Sequence, residues 1–249
     1  MLFKEFGEPG RPVALLLHGG GLSWWSMEEV IGLLRKKYRV VAPVIDGHGE
    51  DGGRDFLNIE DSAANVIAYI DSHCGGKVKL MTGVALGAQI AAEALSQRSA
   101  IADCVVIESA LVIPMKVLTH LTVLANRFLY GLVRKKWFSR MQAKALGLPD
   151  DMFSRYYEDS LRLTSQALVN IAKSNGNYAL KPAIRMTTAR VLVVVGQKEL
   201  GIMRSSARML QEAIDGSSLY VAKGMRHGEL SLRHPDDYVK RIENFIAAK

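Results

Sequence analysis

The segment Thr82-Gly83-Val84-Ala85-Leu86-Gly87-Ala88 carries the strongest chemical signal in this 249-residue sequence. It follows an apolar, strand-like run, Val78 to Thr82, and opens an Ala-rich helical run, Leu86 to Gln97. That is the setting of the G-x-S-x-G turn, which presents a nucleophilic hydroxyl at the top of a parallel sheet. Glycines two residues to either side of the nucleophile let strand and helix approach closely, and Gly83 and Gly87 supply both. The central serine is absent, and Ala85 stands in its place. Alanine has no side-chain oxygen, so covalent catalysis through residue 85 is closed to the chain as written. Taken alone, the segment is equally a Gly-flanked strand-to-helix junction of any α/β protein.

Three further segments change that balance. Leu17-His18-Gly19-Gly20-Gly21 directly follows a buried strand-like run, and a Gly-rich loop there exposes backbone N–H groups to an oxyanion. Val195-Gly196-Gln197-Lys198-Glu199 ends the most apolar run of the chain with a carboxylate, where active sites of open α/β sheets lie. Gly224-Met225-Arg226-His227-Gly228 places a loop histidine late in the chain, the position expected of a general base. Each has an ordinary reading of its own: a turn, a surface acid, a surface histidine. Their order (elbow, acid, histidine, each after a strand) makes a chance assembly improbable.

The elements that must position these residues are legible from apolar periodicity. Val13 to Leu17, Arg39 to Ile45, Val78 to Thr82, Cys104 to Ile107, Val191 to Val195 and Ser218 to Ala222 read as strands, and Leu2 to Phe6 adds an edge strand. Met27 to Lys37, Asp61 to His73, Leu86 to Gln97, Met203 to Ile214 and a final segment opened by His234-Pro235 read as helices. This alternation predicts a mostly parallel sheet with helices on both faces. It breaks over residues 114–185, where only helical runs occur: Met115 to Val133, Lys135 to Leu146, and Asp151 to Asn175 in one or two pieces. The expected organisation is a core of residues 1–113 and 186–249 with a helical cap, 114–185, inserted between two strands. Met115, Leu118, Leu121, Leu124 and Phe128 recur at helical spacing and are expected to form the cap's inward face.

These features together resemble the α/β-hydrolase superfamily over nearly all of the chain outside the insertion. The resemblance rests on the His18-Gly19-Gly20 loop, the strand followed by Asp46-Gly47-His48-Gly49, the elbow, the loop carrying Glu199, and His227. It implies that Ala85 holds the nucleophile position, Glu199 the acid and His227 the base. It also implies that the amides of Gly20 and Leu86, with Gly21 as an alternative to Gly20, form the oxyanion hole. Glu199 stands where aspartate is more usual, though both acids serve in such triads. Glu108, after the Cys104 to Ile107 strand, is the second-ranked acid. Trp24 and Met115 are candidate substrate contacts, and the insertion resembles a lid. No cofactor is implied, and the histidines lack partners at metal-ligand spacing.

The substrate class expected is a small-molecule ester or acyl compound, with thioesters, lipids, amides and C–C bonds as alternatives served by the same constellation. Two origins of Ala85 compete. One is a Ser→Ala replacement that silences a serine hydrolase of Ser-His-Glu type. The other is a natural non-catalytic homologue that binds a ligand or partner. The survival of glycines, acid and histidine around one missing oxygen favours the first.

The net charge is +7, and residues 114–185 hold twelve Lys/Arg against four Asp/Glu, leaving the remainder at about −1. A solvated helical face is the preferred reading of that excess, with anionic substrates or an anionic surface as the weaker alternative. Nucleic-acid binding is not expected, for want of aromatic interleaving or a recognisable motif. No apolar run is long enough for stable membrane insertion. Met1 to Gly10 has no apolar stretch of the kind a secretory signal needs, and Cys74 and Cys104 form no CxxC pattern. A cytoplasmic location follows as the expectation. The oligomeric state is left open by the sequence.

Overall fold

The computed structural model describes residues 1–248. Its strands are β1 (Leu2–Phe6), β2 (Val13–Leu17), β3 (Arg39–Val44), β4 (Val78–Val84), β5 (Ala102–Glu108), β6 (Arg190–Gly196) and β7 (Ser218–Ala222). Its helices are α1 (Glu28–Leu34), α2 (Ile59–His73), α3 (Leu86–Gln97), α4 (Lys116–Val133), α5 (Lys136–Ala145), α6 (Phe153–Arg162), α7 (Ser165–Asn177), α8 (Gly201–Ala213), α9 (Glu229–Arg233) and α10 (Pro235–Ala247).

The strands form one seven-stranded sheet in the order β1-β3-β2-β4-β5-β6-β7. Only β1 is antiparallel, paired with β3 from Leu2↔Val44 to Phe6↔Val40. Continuous apolar strands such as VALLL and RVLVVVG are what a sheet covered on both faces requires. Alternate residues serve opposite faces: Leu15, Leu17, Val191 and Val193 pack with α2, α3 and α8, whereas Ala14, Leu16, Leu192 and Val194 pack with α1 and α10. From β2 the chain moves outward to β3 and then returns to β4 on the other side of β2. Loops leaving the carboxyl ends of β2 and β4 therefore flank a topological switch point, where open α/β sheets form their crevice.

Most expected elements appear within a residue or two. Helix α2 starts earlier than expected because Asn58 caps it, its side-chain oxygen accepting the Asp61 amide at 2.7 Å. Helix α9 was too short to show as a periodic pattern. The run 151–175 divides at Leu163, and Thr164 caps α7 by accepting the Ala167 amide at 2.9 Å.

The largest departure concerns α4. Leu118, Leu121, Leu124 and Phe128 face outward, with Leu118 52% and Phe128 82% exposed. The physical reason lies on the opposite side of the helix. The Asn126 amide donates to the Leu168 carbonyl at 3.3 Å and the Tyr130 hydroxyl to the Leu163 carbonyl at 2.7 Å. Gly176 of α7 lies so close to Thr119 that any side chain there would collide with its hydroxyl. Polar groups that donate to backbone carbonyls of α7 and of the turn before it thus fix the rotation of α4 and leave its apolar stripe unpartnered. Met115 lies at the helix start, half-buried, its amide donating to the Gly176 carbonyl at 2.7 Å.

Candidate active site

The elbow is built by backbone crowding. A Cβ on Gly83 would collide with the Gly87 carbonyl, and one on Gly87 with the carbonyl oxygens of Leu17 and His18. Strand β4 and helix α3 meet so closely that residue 85 is forced to φ 51° and ψ −111°, a conformation that side-chain-bearing residues rarely adopt. Its amide donates to the Glu108 carbonyl at 2.9 Å, and its own carbonyl accepts the Gln89 amide at 3.1 Å. Leu86 opens α3, so its N–H belongs to the turn that has no intrahelical acceptor.

The loop after β2 lies against this turn. A Cβ on Gly19 would stand 3.8 Å from the Ala85 Cβ, and one on Gly20 3.5 Å from the Leu86 side chain. Gly21, at φ 75°, completes the turn closed by the Leu22 amide on the Gly19 carbonyl at 3.2 Å. Gly20 and Leu86 are therefore neighbours, as two donors to one oxyanion must be.

His18 shapes this loop from inside. Its Nδ1–H donates to the Gly19 carbonyl at 2.9 Å and its Nε2 accepts the Ile45 amide at 3.1 Å, which fixes a neutral tautomer. Burial, with His48 nearby, lowers its pKa to about 3. His48 is also buried, and burial brings it to about 4 against the raising effect of its bond to the Asp46 carbonyl. Asp46 takes the Met1 amino group and the Asn65 amide. Asp46 and His48 thus hold the loop after β3.

Glu199 and His227 are brought together. Glu199 Oε2 accepts His227 Nδ1 at 2.8 Å, and Oε1 accepts the Gly196 amide at 2.6 Å and the Ser109 hydroxyl at 2.8 Å. Burial would push this carboxyl up, but the bonds and charge from His227, then Gly196 and Ser109, outweigh it and leave its pKa below the ordinary value. With Nδ1 engaged, Nε2 is the ring nitrogen left to act as a base. The His227 side chain is 48% exposed, so it stands at an open face.

Glu108 has a different partner. Its Oε1 accepts the Ser231 amide at 3.4 Å, and burial pushes its pKa up to about 7. Of the two candidate acids, Glu199 is the one hydrogen-bonded to His227.

Two residues have roles that the sequence does not show. Ser109 lies at the end of β5 with φ 57°, buried, donating to Glu199 and accepting the Gly228 amide at 3.1 Å. It ties the acid to the loop that carries His227. Ile171 of α7 stands 3.8 Å from the position a Gly20 Cβ would take, so the helical insertion reaches over the candidate oxyanion loop. Neither signal exists in one dimension, since a lone serine and a helical isoleucine are unremarkable there. Trp24 lies elsewhere: its ring packs on Phe6 at 5.3 Å between centroids and borders a cleft with Glu50, Arg155 and Arg162, of which Ala85 is not part.

Residues 14–241 match the alpha/beta hydrolase family. Among curated relatives, the chain is 29% identical over 97 residues to the uncharacterized hydrolase YugF of Bacillus subtilis, a match spanning 39% of this chain and only 36% of that protein. It is 26% identical over 233 residues to an AB hydrolase superfamily protein of Gibberella zeae, covering 91% of this chain and 77% of that one. Among solved structures, an esterase from Exiguobacterium antarcticum superposes with a TM-score of 0.81 at 15% identity, covering 99% of this chain and 95% of the other. At that identity the likeness is one of fold.

Proposed function

Since the chain belongs to the alpha/beta hydrolase family, we propose that it is a carboxylic ester hydrolase of Ser-His-Glu type whose nucleophile is replaced by Ala85. The observation that carries this reading is the Glu199–His227 hydrogen bond of 2.8 Å beside an elbow strained at φ 51°. A serine at position 85 would attack the acyl carbon and pass its proton to His227 Nε2. Glu199 would hold the imidazole tautomer and stabilise the imidazolium. The Gly20 and Leu86 amides would carry the oxyanion. His227 would then protonate the departing alcohol, and water would release the acyl group by the same route in reverse. Helices α4 to α7 would act as the cap, with Ile171 bordering the acyl site. Support for the ester class is the esterase likeness in fold together with this donor and base arrangement.

The test is Ala85→Ser. Because loss of a triad nucleophile costs about a millionfold in rate, restoring it should raise p-nitrophenyl ester cleavage by several orders of magnitude. Adding His227→Ala should abolish the gain. No turnover by Ala85→Ser across esters and thioesters would refute the reading and favour a ligand-binding homologue.

A further inference from the structure

Helices α4 and α5 present an apolar and basic surface that the fold does not cover. In α4, Val117, Leu118, Leu121, Leu124, Phe128 and Leu129 are all exposed, Val117 by 78% and Phe128 by 82%. At about 100° per residue they form one stripe on the side opposite Thr119, Asn126 and Tyr130, which pack or bond against α7 and the turn before it. Trp137, 64% exposed, and Met141 continue the apolar character on α5, which packs against α4.

Within α4, α5 and the turn that joins them, the charge has one sign. Residues 116–146 contain seven Lys/Arg and no Asp/Glu. Lys116 and Arg127 flank the stripe, and Arg134, Lys135 and Lys136 join the two helices, whereas Arg140 and Lys144 of α5 line a cleft with Asp150. Beside α4 runs a cleft of about 520 Å³ lined by Lys116, His120, Arg127 and Lys173, with no carboxylate among its lining residues.

We infer that this face adsorbs to the surface of an anionic lipid bilayer. Exposed Leu, Phe and Trp beside Lys and Arg, on helices too short or too polar to span, is the composition of an interfacial helix lying in the headgroup plane. The apolar stripe enters the acyl boundary, the lysines and arginines meet the headgroups, and the basic cleft accepts a headgroup phosphate. A second copy of the chain is the weaker occupant. A two-fold contact would set seven cations against seven with no acid among them to neutralise either set. Solvent alone leaves the stripe unexplained, because a solvated helix face carries polar groups outward. The inference is independent of the proposed chemistry, since adsorption is read on the chain with Ala85 in place.

The experiment is vesicle flotation of the full chain. With phosphatidylcholine containing about 30 mol% phosphatidylserine, it is expected to bind; with phosphatidylcholine alone, only weakly. Each Lys or Arg near such a surface contributes about fivefold in partitioning, so Arg134→Glu, Lys135→Glu and Lys136→Glu together should weaken binding by 100-fold or more. Phe128→Ser with Trp137→Ser should weaken it at least tenfold while far-UV dichroism stays unchanged. Equal binding to both vesicle types, or binding to neither, would overturn the inference. So would a dimer in sedimentation that the Phe128→Ser, Trp137→Ser variant makes monomeric, which would give the face to a second copy.

Discussion

Replacing Ala85 by glycine should stabilise the protein, contrary to the usual effect of that change beside a helix. Ala85 holds φ 51° and ψ −111°, and a non-glycine residue in so sparsely populated a region costs on the order of 1–3 kcal/mol. Glycine removes that cost because it has no Cβ to clash. Against this stand about 0.5–1 kcal/mol of extra chain entropy in the unfolded state and part of one methyl's burial, which is worth about 0.8 kcal/mol when complete. Ala85 is half-buried, so roughly half of that methyl term applies. The balance favours Ala85→Gly by about 1 kcal/mol, read as a higher urea midpoint or a Tm rise of roughly 2–4 °C for a chain of this size. Ala91→Gly is the control. Ala91 lies fully buried inside α3, where the loss of helix propensity and of the methyl add, so it must destabilise. If Ala85→Gly destabilised as Ala91→Gly does, the elbow at residue 85 would be relaxed in solution, and the claim that Gly83 and Gly87 force it would fail.

Acid should destabilise the fold before the ordinary carboxylates titrate. His18 and His48 have folded-state values of about 3 and about 4, below their unfolded value of 6.5, so the unfolded chain takes up protons the folded one refuses. Their contribution is complete above pH 6.5 and is lost as pH falls toward 4. Glu108 acts in reverse: raised to about 7 from 4.5, it stabilises the fold at low pH, and that part is lost as pH rises through 7. The two histidines outweigh the one acid, so stability at pH 5 should lie about 2 kcal/mol below that at pH 7 by urea unfolding; equal values would contradict it. Glycine positions should divide sharply. Gly87→Ala meets the Leu17 and His18 carbonyls, which cannot yield, and should cost more than about 3 kcal/mol or prevent folding. Gly131→Ala in α4 meets nothing within 4 Å and should gain up to about 1 kcal/mol by the same measurement.

Sequence made the sheet legible because a strand covered on both faces must be apolar along its buried length, and Val13–Leu17 and the Val191 to Val195 stretch of β6 are. The elbow was legible for a related reason: strand and helix can approach at Gly83 and Gly87 only where no Cβ intervenes. Glu199 and His227 were found by their order after strands, and the fold places them in hydrogen-bond contact. What stayed hidden depends on three-dimensional partners. Ser109 has meaning only through Glu199 and the Gly228 amide, and Ile171 only through its approach to Gly20. The α4 stripe was assigned to the wrong side because periodicity shows that an apolar face exists but not what covers it. Asn126 and Tyr130 lie on the covered side because the Leu168 carbonyl of α7 and the Leu163 carbonyl before it accept their hydrogen bonds.

The conformation of residue 85 narrows what its alanine means physically. Three backbone features impose that conformation: the crowding at Gly83 and Gly87, the Ala85 amide on the Glu108 carbonyl, and the Gln89 amide on the Ala85 carbonyl. None of them involves a side-chain atom of residue 85. A serine would therefore enter the same strained turn without backbone rearrangement, its oxygen the one atom added. Glu199 and His227 are equally indifferent to it, since Glu199 takes its hydrogen bonds from His227, Gly196 and Ser109. On the proposed reading, position 85 is where a single substitution would separate binding at this site from turnover.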